Sequence, residues 1–307
     1  MKLSILDQSP VLEGASSKQA LEETIKLAKL AEGKGYHRYW IAEHHGMPQL
    51  ASPSPDILLA IIGSQTSTIR IGAGAVLLPN YRAFPVAERY HMLASMFPGR
   101  VDLGIGRAPG GSAEASIALA GDFLSKVNDM PTLIDELLHF LYDDFPEDHL
   151  YAKIDISPRT IEPPHPWLLG TSEKSAVLAA EKNLAYVFGH FMTDSDGPKI
   201  IRKYQDLTEN KKPIIVAVSV ICGETEEEAL QIAKEASTWN QKATSIEVDN
   251  QNNDMFSNMI IGNPVQVKEQ LQTLQQLYQC DEFMILTITS NYQDRKKSYE
   301  RIANIFL

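Results

Sequence analysis

The chain has 307 residues, of which 44% are hydrophobic and 22% are charged, an ordinary composition for a globular protein in water. Its 39 acidic residues outnumber 28 Lys and Arg, and the formal net charge of −11 argues against nucleic acid or an anionic membrane as the main partner, because both would repel it. No apolar run reaches the roughly 18 residues of a membrane span, and the first residues lack the apolar core of a signal peptide, so we expect a cytoplasmic protein.

Short apolar runs alternate with amphipathic helical stretches along the chain. The near-continuous apolar character of several runs is typical of parallel strands covered by helices. Eight strands with helical partners predict an α/β fold, a (β/α)₈ TIM barrel with extended loops at its C-terminal face, formed by residues 1–307 as a single domain. A doubly wound open sheet would alternate in the same way and stays open as the alternative. The predicted strands are residues 3–7, 39–42, 69–76, 101–105, 167–170, 185–188, 214–222 and 283–288.

Two stretches interrupt the regular alternation of strands and helices. Residues 106–128 are rich in Gly and Ala and follow the fourth strand, and residues 240–263 are polar and rich in Asn, Gln and Ser. Long connections of this kind are uncommon unless they are functional or mobile. We therefore expect both stretches to be loops of the same domain.

Chemically distinctive residues follow five of the predicted strands. Glu43–His45 comes after the second strand, Gly74-Ala75 lies near the end of the third, and Arg107 comes after the fourth. The fifth strand ends in Gly170 and continues as Thr171-Ser172-Glu173-Lys174-Ser175, and the sixth ends in Gly189-His190. Because the carboxyl ends of barrel strands face the active site, these residues predict one site on one face.

Two of these loops suit an anion. Arg107 offers a permanent charge and a planar fork of donors, which matches phosphate, and its glycine neighbours let the backbone approach a ligand closely. Thr171, Ser172 and Ser175 place hydroxyl groups and free N–H groups at the start of a predicted helix, where the helix dipole favours negative charge. Taken alone, Ser and Thr before a helix are more usually ordinary helix caps.

The pair His44-His45 raises the choice between a metal site and proton transfer. Adjacent histidines at a strand end point in different directions, and no HExxH spacing brings two ligands to one helical face, so we expect no metal. An imidazole at a barrel mouth suits proton transfer, because its pKa lies near neutrality. His45 fits a structural role better than His44.

Four blocks of the sequence are distinctive: Leu6–Pro10, Arg38–His45, Pro98–Gly110 and Trp167–Gly170. Together they resemble the luciferase-like monooxygenase superfamily, and most of all a branch of bacterial flavin oxidoreductases whose substrates are largely unassigned. The resemblance implies a barrel, a non-Rossmann FMN site and a homodimer. It also implies chemistry by reduced FMN and oxygen, with the reduced FMN supplied by a partner flavin reductase that binds transiently.

The resemblance also assigns roles to single residues. Arg107 would hold the flavin phosphate, and the loop from Gly170 through Thr171 and Ser172 to Ser175 would complete the cradle. His44 corresponds to the family's catalytic histidine, which would act as a base. Gly74-Ala75 matches a position where relatives carry a non-proline cis peptide under the flavin ring.

Three functions follow as hypotheses. The first is an FMN-dependent monooxygenase that oxidises a small organic substrate with reduced FMN and oxygen. The second is a deazaflavin-dependent oxidoreductase that transfers hydride, and the third is a flavin-binding protein without catalysis. The polar 240–263 segment bears on this choice, because relatives often carry a longer, partly apolar segment there that closes over the site. A reduced or mobile lid is therefore expected here.

Overall fold

The computed structural model describes residues 1–208, 212–244 and 258–307. Within them the chain forms parallel strands that alternate with helices, as the apolar runs predict. The strands are β1 Lys2–Asp7, β2 Arg38–Ile41, β3 Arg70–Leu77, β4 Val101–Gly106, β5 His165–Gly170, β6 Ala185–Gly189, β7 Ile214–Cys222, β8 Met259–Gly262 and β9 Glu282–Leu286.

Helices follow the strands and surround them. Two single 3₁₀ turns, Leu78–Asn80 and His190–Met192, come directly after β3 and β6. The α-helices are α1 Ser17–Gly33, α2 Pro55–Gln65, α3 Ala83–Met96, α4 Ala113–Ala120, α5 Phe123–Asn128, α6 Met130–Tyr142, α7 Glu173–Glu181, α8 Gly197–Leu207, α9 Glu226–Thr244, α10 Pro264–Tyr278 and α11 Tyr292–Phe306. None of the helices in the described ranges is both long and apolar enough to cross a membrane.

The strands close into a barrel. Their order is β6-β5-β4-β3-β2-β1-β9-β7, and β6 also pairs with β7, so the ring of eight has no free edge. The predicted (β/α)₈ barrel is confirmed, and the open doubly wound sheet is excluded because that fold leaves two edges unpaired.

Side chains fill the inside of the barrel. The indole rings of Trp40 and Trp167 are both fully buried and meet edge to face, with centroids 5.7 Å apart. A Cβ on Gly72 would lie 2.7 Å from the Trp40 Nε1 atom, and one on Gly74 would lie 2.8 Å from Leu6 Cδ1. The two glycines of β3 therefore leave the space that the Trp40 ring and its neighbours occupy.

Ion pairs close the end of the barrel at which the strands begin. Arg38 binds Asp102 and Glu282, each at 2.8 Å, and Arg70 binds Asp102 at 2.6 Å. Burial alone would raise the pKa of Asp102, but the two guanidinium groups hold it below its usual value. In such a barrel, interactions at this end serve stability, and the functional site lies at the opposite end.

The two irregular stretches contain more structure than expected. Residues 106–128 include the short helices α4 and α5, so the expectation of a plain loop was wrong there. The 240–263 segment begins within the last turn of α9 and ends with the strand β8, so it is not a loop throughout. β8 pairs with the end of β7, from Ser219 to Cys222, and lies outside the ring of eight. Residues 245–257, on which the expected lid depends, lie outside the described residues.

Candidate active site at the barrel mouth

The residues singled out in the sequence follow five strands that are neighbours in the barrel, from β2 through β3, β4 and β5 to β6. Because all five strands are parallel, their carboxyl ends lie at the same rim. The structure therefore brings these residues to one half of the barrel mouth, as the pattern predicts.

His44 lies in the loop after β2 and is neutral at ordinary pH. Its backbone N–H donates to the carbonyl oxygen of Ser52 at 3.1 Å. Burial, and secondarily the neighbouring His45, lowers the pKa of His44 to about 4. The Nδ1 atom is buried and has no hydrogen-bond partner among the described residues. A buried polar atom without a partner is rare in folded proteins, and an unfilled ligand contact is one physical reason for it.

Glu43 ties the end of β2 to the end of β3. Its side chain is buried, and its Oε1 atom lies 2.8 Å from His45 Nε2 and accepts a hydrogen bond from the Tyr81 hydroxyl at 2.9 Å. Its Oε2 atom accepts from the backbone N–H of Leu77 at 3.2 Å. Burial raises the pKa of Glu43, and these hydrogen bonds act against the rise. Glu43 thus holds the loop that carries both histidines.

The ends of β3 and β4 approach each other closely. The peptide bond between Gly74 and Ala75 is cis, as expected. A Cβ on Gly106 would lie 2.9 Å from the Cβ of Ala75, so a glycine is needed where β4 passes this bond. Arg107 comes next, is exposed, and makes no hydrogen bond or ion pair with the residues that the structure describes. Its guanidinium group is therefore free to bind an anion.

The loop between β5 and α7 forms a capping box. Ser172 is the N-cap residue: its hydroxyl accepts from the backbone N–H of Ser175 at 3.4 Å, and its own backbone N–H donates to the Ser175 hydroxyl at 3.2 Å. The Ser175 hydroxyl also donates to the Ser172 carbonyl oxygen at 2.7 Å. A Cβ on Gly170 would lie 2.1 Å from the Ser175 hydroxyl oxygen, so the strand can meet the helix only through glycine. Ser175 is buried within the loop, whereas Thr171 and Ser172 are partly exposed.

Arg107 and the β5–α7 loop are electrostatically connected. The Tyr186 hydroxyl lies 2.9 Å from the Ser175 hydroxyl. Burial raises the pKa of Tyr186 to about 12, while its hydrogen bond with Ser175 and the positive charge of Arg107 act in the opposite direction. The Arg107 charge therefore reaches the base of this loop, and the two predicted anion-binding elements belong to one region.

Several residues of the site escape sequence analysis. The roles of Tyr81 and Tyr186 depend on partners distant in sequence, so no local pattern indicates them. Glu43 could have been found, since a carboxylate directly after a buried strand needs partners. In the described part of the chain, no group of three or more His, Cys, Asp or Glu side chains is arranged to hold a metal ion.

Comparisons with known proteins give matches along almost the whole chain. The model of the luciferase-like monooxygenase family matches residues 1–279. The N-acetyl-S-alkylcysteine monooxygenase of Bacillus subtilis (strain 168) is 31% identical over 331 aligned residues, which cover 100% of this chain and 98% of the relative. The crystal structure of apo-MsnO8 is 30% identical, with a TM-score of 0.91 over 99% of this chain and 98% of that one.

Two more distant structures share the fold. The oxygenating constituent of 3,6-diketocamphane monooxygenase from Pseudomonas putida, in complex with FMN, has a TM-score of 0.75 at 21% identity and covers 99% of this chain and 97% of its own. An F420-dependent secondary alcohol dehydrogenase has a TM-score of 0.74 at 12% identity, with 100% and 99% covered. With the family match over most of its length and relatives above 30% identity, the chain belongs to the luciferase-like monooxygenase family.

Proposed function

We propose that this protein is an FMN-dependent monooxygenase, which uses reduced FMN and molecular oxygen to oxidise a small organic substrate. The observation that carries the proposal is the presence, on one half of the rim, of a neutral imidazole at His44 and an unpaired cation at Arg107 beside a helix N-terminus. FMN needs an anion-binding group for its phosphate, and the reaction needs a group that accepts a proton.

The phosphate site consists of Arg107 and the β5–α7 loop. Arg107 provides the charge, while the Thr171 and Ser172 hydroxyls and the first N–H groups of α7 provide hydrogen bonds. Gly170 and Ser175 act from beneath, because their close approach fixes the shape of the loop. The donor set fits a phosphate dianion, since all of its members can donate and none is an acid.

His44 is the catalytic base in this proposal. Bound reduced FMN supplies the electrons with which oxygen is activated. The neutral His44 ring can accept a proton at its unprotonated nitrogen, and the buried, unpartnered Nδ1 marks the side on which a ligand contact is missing. Gly74 and Ala75 have little side chain, and we assign them the backbone surface against which the flavin ring would lie.

The proposal includes two protein partners. A separate flavin reductase would supply reduced FMN in the cytoplasm, in line with the fold relative described as an oxygenating constituent. A second copy of this chain would cover the outer face of α2 and α3, where Ile57, Ile61, Met92 and Met96 are exposed. Residues 1–307 form one domain in this proposal, because β9 pairs with β1 and so joins the last strand of the barrel to the first.

The substrate class can be approached through the named activity of one relative. The relative that is 31% identical acts, by its name, on N-acetyl-S-alkylcysteines. We therefore place thioethers with an N-acyl amino-acid group first in a substrate panel. Other small organic molecules, including cyclic ketones, form the second part of the panel.

The test is an anaerobic titration of the purified protein with reduced FMN, oxidised FMN and a reduced deazaflavin, followed by calorimetry and fluorescence. We expect the tightest binding for reduced FMN. Tighter binding of the deazaflavin would favour the hydride-transfer alternative, and one fold relative is an F420-dependent dehydrogenase. Absence of flavin binding would refute the cofactor assignment.

A substitution separates an enzyme from a flavin-binding protein. His44→Ala removes the base and leaves the phosphate site intact, so FMN affinity should persist while turnover of reduced FMN and substrate falls 10²-fold or more, roughly the contribution of a general base. Unchanged turnover in this variant would contradict the role of His44. If the unmodified protein binds flavin but oxidises nothing in the panel, the non-catalytic alternative gains support.

A further inference from the structure

A second histidine stands across the barrel mouth from His44. His190 follows β6 directly and begins the 3₁₀ turn at the rim. Counting round the ring, β2 reaches β6 in four steps through β3, β4 and β5, and also in four steps through β1, β9 and β7. The two imidazoles are therefore carried by strands at opposite points of the same rim.

A buried tyrosine holds His190 in one tautomer. The Tyr278 hydroxyl lies 2.9 Å from His190 Nδ1 and has no other hydrogen-bond partner among the described residues. Because burying an unpaired O–H is costly, Tyr278 donates to Nδ1, and the proton of the neutral ring then sits on Nε2. Burial lowers the pKa of His190, which favours the neutral form of the ring. Nε2 is thus an N–H donor without a partner in the described part of the chain.

His190 adjoins the proposed phosphate site. Gly170 is paired with Phe188 in the sheet, which sets the two loops side by side. A Cβ on Gly189 would lie 3.3 Å from the Thr171 methyl group. His190, which follows Gly189, therefore lies beside the loop to which we assign the flavin phosphate. Its Nε2–H is a donor without a partner among the described residues.

We propose that His190 donates a hydrogen bond from Nε2 to the phosphate group of bound FMN, and that Tyr278 is the positioning residue that fixes the required tautomer. This inference rests on the proposed flavin site and adds a donor from the β6 loop to those of the β4 and β5 loops. A neutral donor contributes recognition of phosphate oxygens without adding a further charge to the site.

The experiment compares affinities for FMN and riboflavin, which differ only in the phosphate group. His190→Ala should weaken FMN binding roughly tenfold or more, as expected for a lost hydrogen bond to a charged group, and leave riboflavin affinity unchanged. His190→Gln, which keeps an N–H donor, should recover part of the loss. Equal losses for both flavins, or no loss for FMN, would overturn the proposal while leaving the FMN assignment intact.

Tyr278→Phe tests the positioning role, with Tyr204→Phe as the matched control. Tyr204 is also buried, and its hydroxyl donates to the Leu184 carbonyl oxygen at 2.6 Å, so this variant loses a comparable buried hydrogen bond. Only Tyr278→Phe should reduce the preference for FMN over riboflavin. The same reduction in both variants would reveal a general loss of stability and refute the positioning role. If the unmodified protein binds neither flavin, the flavin site itself is refuted.

Discussion

His44 differs from a histidine in water because its ring is largely removed from solvent and stands beside a second imidazole. Its pKa of about 4 means that the base form is present throughout the ordinary pH range and is lost only as the pH falls through 4. NMR titration of ring resonances, assigned with His44→Ala, should show His44 still neutral at about pH 5.5. A free histidine, whose pKa is near 6.5, is mostly charged at that pH. A midpoint near 6.5 would contradict the burial of the ring.

The same shift has a consequence for stability. In the unfolded chain His44 takes up a proton near pH 6.5, whereas in the folded protein its pKa is lowered to about 4. The contribution of the neutral His44 ring to the free energy of unfolding is therefore complete above pH 6.5 and declines as the pH falls from 6.5 towards 4.

The Glu43 carboxylate accepts hydrogen bonds from the Leu77 N–H and the Tyr81 hydroxyl and contacts His45. A glutamine amide at this position cannot fully reproduce these three contacts. Glu43→Gln should lower the free energy of unfolding by roughly 1–3 kcal/mol, because the new N–H₂ group faces donors in a buried site. Glu22→Gln is the control, since this side chain is half exposed and its pair with Lys18 is long at 3.8 Å. Urea denaturation measures both, and equal effects would show that the Glu43 contacts contribute little.

At the scale of elements, α1 and α7 provide a matched pair of N-caps. The Ser16 and Ser172 hydroxyls each accept a hydrogen bond from a backbone N–H in the first turn of their helix. Ser16→Ala and Ser172→Ala should each lower the free energy of unfolding by about 1 kcal/mol. Only Ser172→Ala should also weaken binding of FMN relative to riboflavin. Unchanged FMN affinity in that variant would limit Ser172 to capping.

The elements also show what a sequence can and cannot reveal. The nine-residue run Ile214–Cys222 was predicted with its observed bounds, because a long apolar run has few alternatives. The four-residue strand Met259–Gly262 was missed, because so short a strand at the end of a polar stretch carries almost no periodic signal. Arg107 stands within a local glycine motif and could be found. Tyr81 meets Glu43 only through folding, 38 positions away.

For the whole molecule, the exposed apolar residues of α2 and α3 lead to a test of dimerisation. Ile57→Asp puts a charge on that face in the first turn of α2, where the helix dipole tolerates an acid. Val265→Asp is the control, since Val265 has the same 64% exposure and also lies in the first turn of its helix, α10. Analytical ultracentrifugation should show a dimer for the unmodified protein and for Val265→Asp, and a monomer for Ile57→Asp. A dimer in all three would locate the interface elsewhere.

One end of the barrel axis is blocked by the ion pairs of Arg38, Arg70, Asp102 and Glu282 and by the Trp40 and Trp167 rings above them. A ligand that moves along the axis therefore enters the described barrel at the other end, over the rim that carries the candidate site. Any cofactor, substrate and product must then pass the same rim in sequence. We expect the order of binding to govern the kinetics, because a substrate that binds before the flavin blocks flavin binding. At limiting FMN, turnover should therefore rise and then fall as the substrate concentration increases. Raising the FMN concentration should abolish the fall, and steady-state rates over both concentrations measure this.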